Sequence, residues 1–437
     1  MMEELGYRPY GSYKDSHASW LGEVPSDWQV GPGRICIYEN RDKNTGMKES
    51  TVLSLSYGRV IVKDEDKMTG LVPESYETYQ IVQPGDIIIR GTDLQNDVTS
   101  LRTGLAKDHG IITSAYINLR PKPNAYAEFL HYLLHSYDVK KVFYGLGSGL
   151  RQNLSYVDFK YLTIPLPSLP EQRAIVAFLD DKCAKIEGAV KIKEDQIALL
   201  RERRQIIIQD AVTRGLNPAA PMKASGIDWI GQIPAHWEIV RLRHLTMKIG
   251  SGVTPTGGAL TYVDNGVPLL RSQNVLFGKI DFETAVRIDN QVHERMSNSH
   301  VMKGDVLLNI TGGSIGRCHY VESSEALNVN QHVCIIRPNS EIISKFLNML
   351  LASEVGQKQV WLGQQGGGRE GLNFETLKGF IFPLPSLIEQ LEISEEIEIK
   401  SNGYQAAISI KQDQIATLKE YKTSLINAAV TGKIKVI

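Results

Sequence analysis

Amide, hydroxyl and guanidinium side chains gather around predicted strand ends in both halves of this 437-residue chain. An amide carries a donor and an acceptor and can pair with an adenine edge, while a guanidinium binds a guanine edge or a phosphate. Such side chains could recognise nucleic acid, or each could be an ordinary structural polar group. The candidates are Arg90, Thr92, Gln95, Asn96 and Ser114 in the first half and Ser251, Thr254, Arg271, Asn274, Asn309, Thr311, Ser314, Gln331 and His332 in the second.

Two glycine-rich segments add one arginine each. The motif Gly-x-Arg-x-x-Leu occurs at residues 149–154 and again at 367–372, without the lysine of a P-loop or the strand-GxGxxG-helix order of a dinucleotide site. A flexible loop with one arginine suits contact with a phosphate or a guanine, and a plain surface turn is the alternative. The polar residues concerned are Arg151, Gln152, Gln364 and Arg369.

The sequence lacks the motifs of an enzyme. It has no Asn/Asp-Pro-Pro-Tyr/Phe of an amino-methyltransferase, no glycine motif for S-adenosylmethionine, and no HExxH motif for a metal. A formal net charge of −1 argues against a strongly basic nucleic-acid binder, although local charge matters more than net charge. We therefore expect no catalytic residue, no metal site and no cofactor bound by this chain.

We expect no export or membrane signal in this chain. It has no 18-residue apolar span, and Met1-Met2-Glu3-Glu4 lacks the basic and apolar regions of a leader peptide. We expect a cytoplasmic chain without a membrane partner. The four cysteines, Cys36, Cys183, Cys318 and Cys334, have no metal-ligand spacing. Because a reducing compartment keeps thiols from forming disulfides, we expect all four to be free and buried.

The chain contains a long internal repeat. Residues 165–213 and 383–431 align at an offset of 218, and 22 of the 49 paired positions are identical. A Trp-Leu/Ile-Gly-x-Val/Ile-Pro-x-x-Trp motif precedes each copy, at residues 20–28 and 229–237. A solenoid unit spans roughly 20 to 50 residues, so a repeat of this length indicates a duplicated domain and helix.

Each half predicts a mixed α+β globular domain that leads into a long helix. Gly85-Asp86 and Gly304-Asp305 open equivalent strands. We expect globular domains at 1–165 and 218–383 and helical segments at 166–217 and 384–437. Short strand runs include 86–90, 116–119, 305–308 and 333–336, and short helices are expected at 125–137 and 342–351.

The two helical segments carry the 4-3 apolar alternation of a coiled coil. Residues 175–213 contain no proline and one glycine, Gly188, and about 39 residues make a helix of roughly 58 Å. Because both copies share the stripe, we expect them to pack against each other as an antiparallel pair with pseudo-twofold symmetry. Self-association with another protomer is the alternative. The seam positions are Ile186, Val190, Ile197, Leu200 and Ile207, with Tyr404, Ile408, Ile415, Leu418 and Leu425.

These motifs together resemble the specificity subunit of a type I restriction-modification system. The resemblance rests on the paired tryptophan motifs, the Pro-Leu-Pro-Ser-Leu-x-Glu-Gln helix start, the Lys-x-Asp-Gln-Ile-Ala-x-Leu core and the Ala-Val-Thr-x-Gly end, and it covers essentially the whole chain. It implies two target recognition domains that read a bipartite double-stranded DNA target and are separated by two long antiparallel helices. The first half departs from the pattern, since it has Gly31-Pro32-Gly33 and no Ser-Gly-x-Thr-Pro loop.

The resemblance also implies partners. Two methylation subunits would bind S-adenosylmethionine, and restriction (motor-nuclease) subunits would use ATP and Mg²⁺, while this chain would do no chemistry itself. Two other interpretations remain open. The chain could be the recognition subunit of a related methyltransferase or phage-defence system, or a protein scaffold that does not bind DNA.

Overall fold

The computed structural model describes residues 6–63, 75–146, 153–364 and 371–436. The chain forms two compact units, Met1–Lys193 with Gln412–Ile437, and Glu194–Lys411. Each unit therefore contains one globular half, the beginning of the long helix that follows it and the end of the other long helix. The four predicted segments differ from these units, because the boundary between the units falls within each long helix.

Twelve strands belong to the first unit among the residues that the structure describes. They are β1 (Tyr13–Asp15), β2 (Glu23–Pro25), β3 (Gln29–Pro32), β4 (Ile37–Glu39), β5 (Leu53–Ser56), β6 (Arg59–Val62), β7 (Gln80–Val82), β8 (Ile87–Ile89), β9 (Thr103–Leu105), β10 (Gly110–Ile112), β11 (Ile117–Pro121) and β12 (Thr163–Leu166). Its helices are α1 (Ala127–Val139), α2 (Tyr156–Tyr161) and the beginning of α3 (Leu169–Arg214).

A four-stranded antiparallel sheet in the order β4-β11-β8-β9 organises the first unit. Leu119 on β11 lies opposite Ile87 on β8 and opposite Glu39 on β4. The apolar face of this sheet is buried with α1, which contributes Phe129 and Leu133, among others, to the same core. The end of α8 also contributes to this core, so both long helices are part of the fold of the first unit.

The second unit contains fifteen strands among its described residues. They are β13 (Met222–Ala224), β14 (Gln232–Pro234), β15 (Glu238–Arg241), β16 (Thr246–Ser251), β17 (Tyr262–Val263), β18 (Val267–Leu270), β19 (Val275–Leu276), β20 (Lys279–Ile280), β21 (Val286–Ile288), β22 (His300–Val301), β23 (Val306–Asn309), β24 (Cys318–Tyr320), β25 (Leu327–Val329), β26 (Val333–Pro338) and β27 (Ile381–Leu384). Its helices are α4 (Asn290–Arg295), α5 (Ser344–Ala352), α6 (Glu354–Gln364), α7 (Phe374–Lys378) and the beginning of α8 (Leu387–Val430).

The second unit repeats the framework of the first and adds to it. Its antiparallel sheet β16-β26-β23-β24 has the same strand arrangement as β4-β11-β8-β9. A five-stranded sheet, β17-β21-β18-β25-β22, contains one parallel pair, between β18 and β25. The first unit instead has the two-stranded sheets β5-β6 and β7-β10. The halves therefore share a mixed α+β framework and differ in the strands inserted into it.

A buried indole connects the two long helices inside each unit. In the first unit, Nε1 of Trp28 donates to Glu171 near the start of α3 at 3.0 Å, and Gly432, just after α8, packs against the same ring. In the second unit, Nε1 of Trp237 donates to Glu389 near the start of α8 at 3.3 Å. Gly215, just after α3, packs against the ring of Trp237. The beginning of one helix thus lies beside the end of the other, which is an antiparallel arrangement.

The long helices contain 46 and 44 residues, more than the 39 expected for each. Every position of the predicted seam is buried or half-buried, and Ile186, Ile197, Ile408 and Leu425 are fully buried. In the first unit, Lys422 adds an ion pair across the helices to Glu187, with an Nζ–Oε1 distance of 2.6 Å. All four cysteines are free and buried, as predicted. Among the described residues, no helix has the length and apolar character needed to cross a membrane.

Candidate nucleic-acid interface

Three loops of the second unit leave the main sheet at one edge. Asn309 ends β23 opposite Val333, which begins β26, and Ser251 ends β16 opposite Cys334. The sheet therefore brings together the loop after Ser251, the turn after Asn309 and the segment that precedes β26. A Cβ on Gly252 would overlap the carbonyl of Val329, so close backbone packing requires glycine at the start of the first loop.

A chain of hydrogen bonds connects the three loops. Thr254 Oγ1 donates to Gln331 Oε1, and Gln331 Nε2 lies 3.1 Å from His332 Nε2. His332 Nδ1 lies 2.6 Å from Thr311 Oγ1. Thr254 and Gln331 are exposed, whereas Thr311 and His332 are half-buried. These four predicted residues thus form one polar cluster that presents an exposed amide, and we call it the Gln331 cluster.

The second glycine-rich segment ends at the same edge. Thr311 forms a backbone bridge with Gly371, and the Leu372 amide donates to the carbonyl of Ile310 at 2.9 Å. Ser314 lies half-buried in the turn after β23, and Gln364 lies half-buried at the end of α6. Arg369 lies outside the described residues.

The structure buries two of the predicted residues. Asn309 is fully buried, and its Nδ2 donates to the carbonyls of Ser272 at 2.7 Å and Val275 at 3.2 Å. Asn274 is also fully buried, and its Oδ1 accepts from the backbone N–H of Arg271 at 2.9 Å. Their amides hold the backbone around β19 and do not face solvent, which argues against base contacts by these two residues. Ser251 is half-buried, and its hydroxyl is 3.2 Å from the carbonyl of Gly252.

Arg271 lies close to the Gln331 cluster in the sheet. It follows Leu270, whose carbonyl accepts from the Asn330 N–H at 3.0 Å. The side chain is half-buried, and its Nε is buried without a hydrogen-bond partner among the described residues. Arginine is a residue type that contacts phosphates and guanine edges, and Arg271 stays a candidate on that ground.

The first unit has an equivalent edge with different chemistry. Strands β8 and β11 pair through Ile89 and Ile117, and a long turn follows β8. Within this turn Arg90 Nη1 is 3.3 Å from Asp97 Oδ2, and Asn96 Nδ2 donates to Asp93 at 2.7 Å. Hydrogen bonds from Ser100 lower the pKa of Asp97 to about 2, so its carboxylate is charged at neutral pH. The exposed predicted residues here are Gln95, Asn96 and Ser114, and the half-buried ones are Arg90 and Thr92.

The first glycine-rich segment meets this turn in the same way as the second. The Leu154 amide donates to the carbonyl of Gly91 at 2.7 Å, and the Asp93 amide donates to Asn153 Oδ1 at 2.9 Å. Arg151 and Gln152 directly precede these contacts in the chain and lie outside the described residues. Both halves thus bring the leucine of Gly-x-Arg-x-x-Leu to the edge that carries the other candidates.

Sequence reasoning missed Arg102, which shapes the turn in the first unit. Its side chain is fully buried, and the guanidinium donates to the carbonyls of Arg90 at 3.2 Å, Thr92 at 2.8 Å and Asp93 at 3.2 Å. Tyr144 accepts a further bond from Nε at 3.2 Å. No local sequence pattern marked this arginine, because most partners of its guanidinium are backbone carbonyls and none is an acidic side chain.

The described side chains of the two edges can hold a polar ligand. The predicted candidates among them are amides, hydroxyls, an imidazole and guanidiniums, which recognise base edges and phosphates. Within the part of the chain that the structure describes, no group of three or more His, Cys, Asp or Glu side chains could hold a metal ion.

Comparison with known proteins agrees with this chemistry. The sequence profile of the type I restriction modification DNA specificity domain matches residues 50–194 and 235–420. The type I restriction enzyme MjaVIII specificity subunit of Methanocaldococcus jannaschii is 29% identical over 336 residues, which cover 75% of each chain. The putative type I restriction enzyme MjaX specificity subunit of the same organism is 23% identical over 430 residues, or 95% of this chain and 96% of the relative.

A solved structure shares the fold. A chain from a structural study of complex assembly and conformational transition in the type I R-M system aligns with a TM-score of 0.69. The alignment covers 93% of this chain and 98% of that chain at 17% sequence identity. The fold therefore occurs in a protein whose sequence is only distantly similar.

Proposed function

The chain belongs to the family of type I restriction-modification DNA specificity subunits, and from this premise we propose that each unit reads one part of a bipartite duplex target through its sheet edge. Sequence-specific DNA recognition is the function of the chain. The observation that supports one half-site for each unit is the repeated sheet edge. In both units, polar residues and the end of a glycine-rich segment meet at this edge. The different side chains at the two edges suit two different half-sites.

We propose that the chemistry of the complex resides in other subunits. The described residues hold no metal-binding cluster, and the sequence has no motif for S-adenosylmethionine or a nucleotide. Two methylation subunits would supply S-adenosylmethionine and methylate adenine, and restriction subunits would use ATP and Mg²⁺ to translocate and cut DNA. This chain would select the sequence and dock both kinds of subunit.

The test is methylation of genomic DNA in a host that lacks adenine methylation. The full chain is expressed with the methyltransferase encoded beside it, and modified bases are mapped by long-read sequencing. We expect methyladenine in one motif with two specified parts and an unspecified spacer. Substitutions at the first edge should alter one part only, and substitutions at the second edge the other. A folded complex that methylates no specific sequence would contradict the proposal.

A further inference from the structure

We infer that Gln331 reads an adenine within the half-site recognised by the second unit. This inference rests on the proposed function and assigns one residue to one base. Gln331 is exposed at the edge of the main sheet, two positions before β26 begins at Val333. Its amide already makes two hydrogen bonds and has capacity for others.

The free donors and acceptors of the Gln331 amide determine which base it can pair with. The glutamine amide has two N–H donors on Nε2 and two lone pairs on Oε1. Thr254 uses one lone pair, and His332 uses one N–H. One N–H and one lone pair therefore remain. If the amide were rotated by 180°, the same two neighbours would still occupy one donor and one acceptor, so the count would not change.

One free donor and one free acceptor on the same amide match adenine in the major groove. Adenine offers N7 as an acceptor and its N6 amino group as a donor, and the amide can meet both. Guanine offers two acceptors, N7 and O6, so the amide oxygen would face O6 without a proton between them. The remaining capacity of Gln331 thus discriminates between the two purines by hydrogen-bond pairing.

The cluster also fixes the amide in position before DNA arrives. His332 holds Gln331, and Thr311 holds His332 through Nδ1 at 2.6 Å. The backbone around His332 is fixed as well, since its N–H donates to Asn330 Oδ1 at 3.1 Å and its carbonyl accepts from Ile310 at 3.0 Å. A side chain that is already ordered loses little conformational entropy on binding, which strengthens discrimination between bases.

The first unit has no side-chain amide at the position that corresponds to Gln331. Arg120-Pro121 and Arg337-Pro338 end equivalent strands at an offset of 217, which pairs Gln331 with Ser114. A serine hydroxyl can donate or accept and therefore does not distinguish adenine from guanine by itself. We expect the adenine preference to belong to the second unit alone at this position.

The test compares Gln331→Glu with Gln331→Ala in the full chain assembled with its methylation subunits. Methylation is measured on a duplex library that carries each base at every position of the second half-site. The wild-type chain should prefer adenine at one position by about 5- to 150-fold, from a discrimination of about 1–3 kcal/mol. Gln331→Ala should lose that preference, and Gln331→Glu should shift it toward cytosine, whose N4 amino group donates to a carboxylate. Both variants should keep the first half-site and the spacer.

The control is Gln405→Glu, which makes the same charge change at an exposed position of α8. It should leave all preferences unchanged. An adenine preference that survives in both Gln331 variants would overturn the role of Gln331 and leave the proposed function intact. So would relaxed specificity spread over both half-sites, because that pattern indicates a general loss of structure. If Gln331→Glu is inactive, Gln331→Ala decides the question. A wild-type complex without a bipartite motif would overturn the proposed function and the role of Gln331 together.

Discussion

Nε1 of the Trp28 indole donates a hydrogen bond to Oε1 of Glu171 at 3.0 Å, and the Tyr10 hydroxyl donates to the same oxygen at 2.8 Å. Burial and the nearby Glu171 carboxylate raise the pKa of Tyr10, so its phenol remains a donor at neutral pH. The second unit repeats the contact between Trp237 and Glu389 at 3.3 Å. Each half thus uses a buried indole to fix the beginning of its own long helix.

Replacing Glu171 should loosen the first unit. Glu171→Ala leaves the Trp28 and Tyr10 donors without their acceptor, and we expect a loss of about 1–3 kcal/mol in the free energy of unfolding of that unit. Glu171→Gln keeps an acceptor oxygen and should cost clearly less. Urea unfolding, with hydrogen exchange to assign the transition to the first unit, measures both. Equal losses in the two variants would show that the carboxylate charge, and not the acceptor, provides the stability.

Gly432 should tolerate alanine poorly for two separate reasons. Its φ is +70°, and an added Cβ would overlap Pro25 and approach Trp28. The control is Gly46→Ala, because Gly46 has a φ of +79° and open space around the position of a Cβ. The backbone strain alone costs about 1–2 kcal/mol, and the overlap should add about 1–3 kcal/mol. Thermal unfolding that shows the same loss for both variants would contradict the packing of Gly432 described above.

The sequence predicted the framework of each half better than its connections. Gly85-Asp86 and Arg120 correspond to Gly304-Asp305 and Arg337 in the sequence. Nothing in the sequence indicates that the aspartate and the arginine of each half bind each other. In the structure, Arg120 binds Asp86 with two hydrogen bonds of 2.7 and 2.8 Å, and Arg337 binds Asp305 with two of 2.7 and 2.9 Å. These pairs exist because β11 lies beside β8 and β26 beside β23. Strand neighbours depend on the whole topology, which a local pattern does not contain.

The candidate site was harder to predict because residue type alone does not reveal burial. Asn309 and Gln331 are both amides near strand ends, but Asn309 is fully buried and bonded to backbone carbonyls while Gln331 is exposed. The sequence does not mark Arg102, because most of its partners are carbonyls brought together by the turn after β8. Local sequence therefore located the edges of the sheets, and only the three-dimensional structure separated the supporting residues from the exposed ones.

Arg102 should control the order of the turn in the first unit. Arg102→Lys keeps the charge but cannot bond three carbonyls through a planar fork, so we expect faster hydrogen exchange at residues 90–97. Methylation specificity should relax in the first half-site only. Arg41→Lys, at a side chain that is 80% exposed, is the control and should change neither measurement. Unchanged exchange in Arg102→Lys would contradict the supporting role.

Acid should destabilise the first unit below about pH 6.5. Burial, with His135 and Lys107 nearby, lowers the pKa of His131 from 6.5 to about 4, and its Nε2 has no hydrogen-bond partner among the described residues. The unfolded chain therefore binds a proton that the folded chain excludes, and stability falls as the pH drops from 6.5 to 4. The loss approaches about 3 kcal/mol at the lower limit.

The histidine contribution can be isolated by substitution. His131→Gln removes the titrating group and should flatten the decline in unfolding free energy between pH 6.5 and pH 4. His17→Gln is the control, since the His17 side chain is 88% exposed, and it should keep the wild-type dependence. Urea titrations at several pH values give the slopes. A decline of the same slope in His131→Gln would assign the acid sensitivity to other groups.

The length of the long helices should set the spacer between the two half-sites. Both helices run without interruption, over 46 and 44 residues, past the boundary between the compact units. Inserting four residues near Gln196 in α3 and near Gln414 in α8 adds about one turn, or about 6 Å, to each helix. This length corresponds to roughly two base pairs of duplex DNA. We expect the methylated motif to keep both half-sites and to gain a longer spacer, as read by modified-base sequencing.

Replacing four helix residues at the same positions, without a change in length, is the control. A motif with an unchanged spacer would show that the helices do not determine the separation.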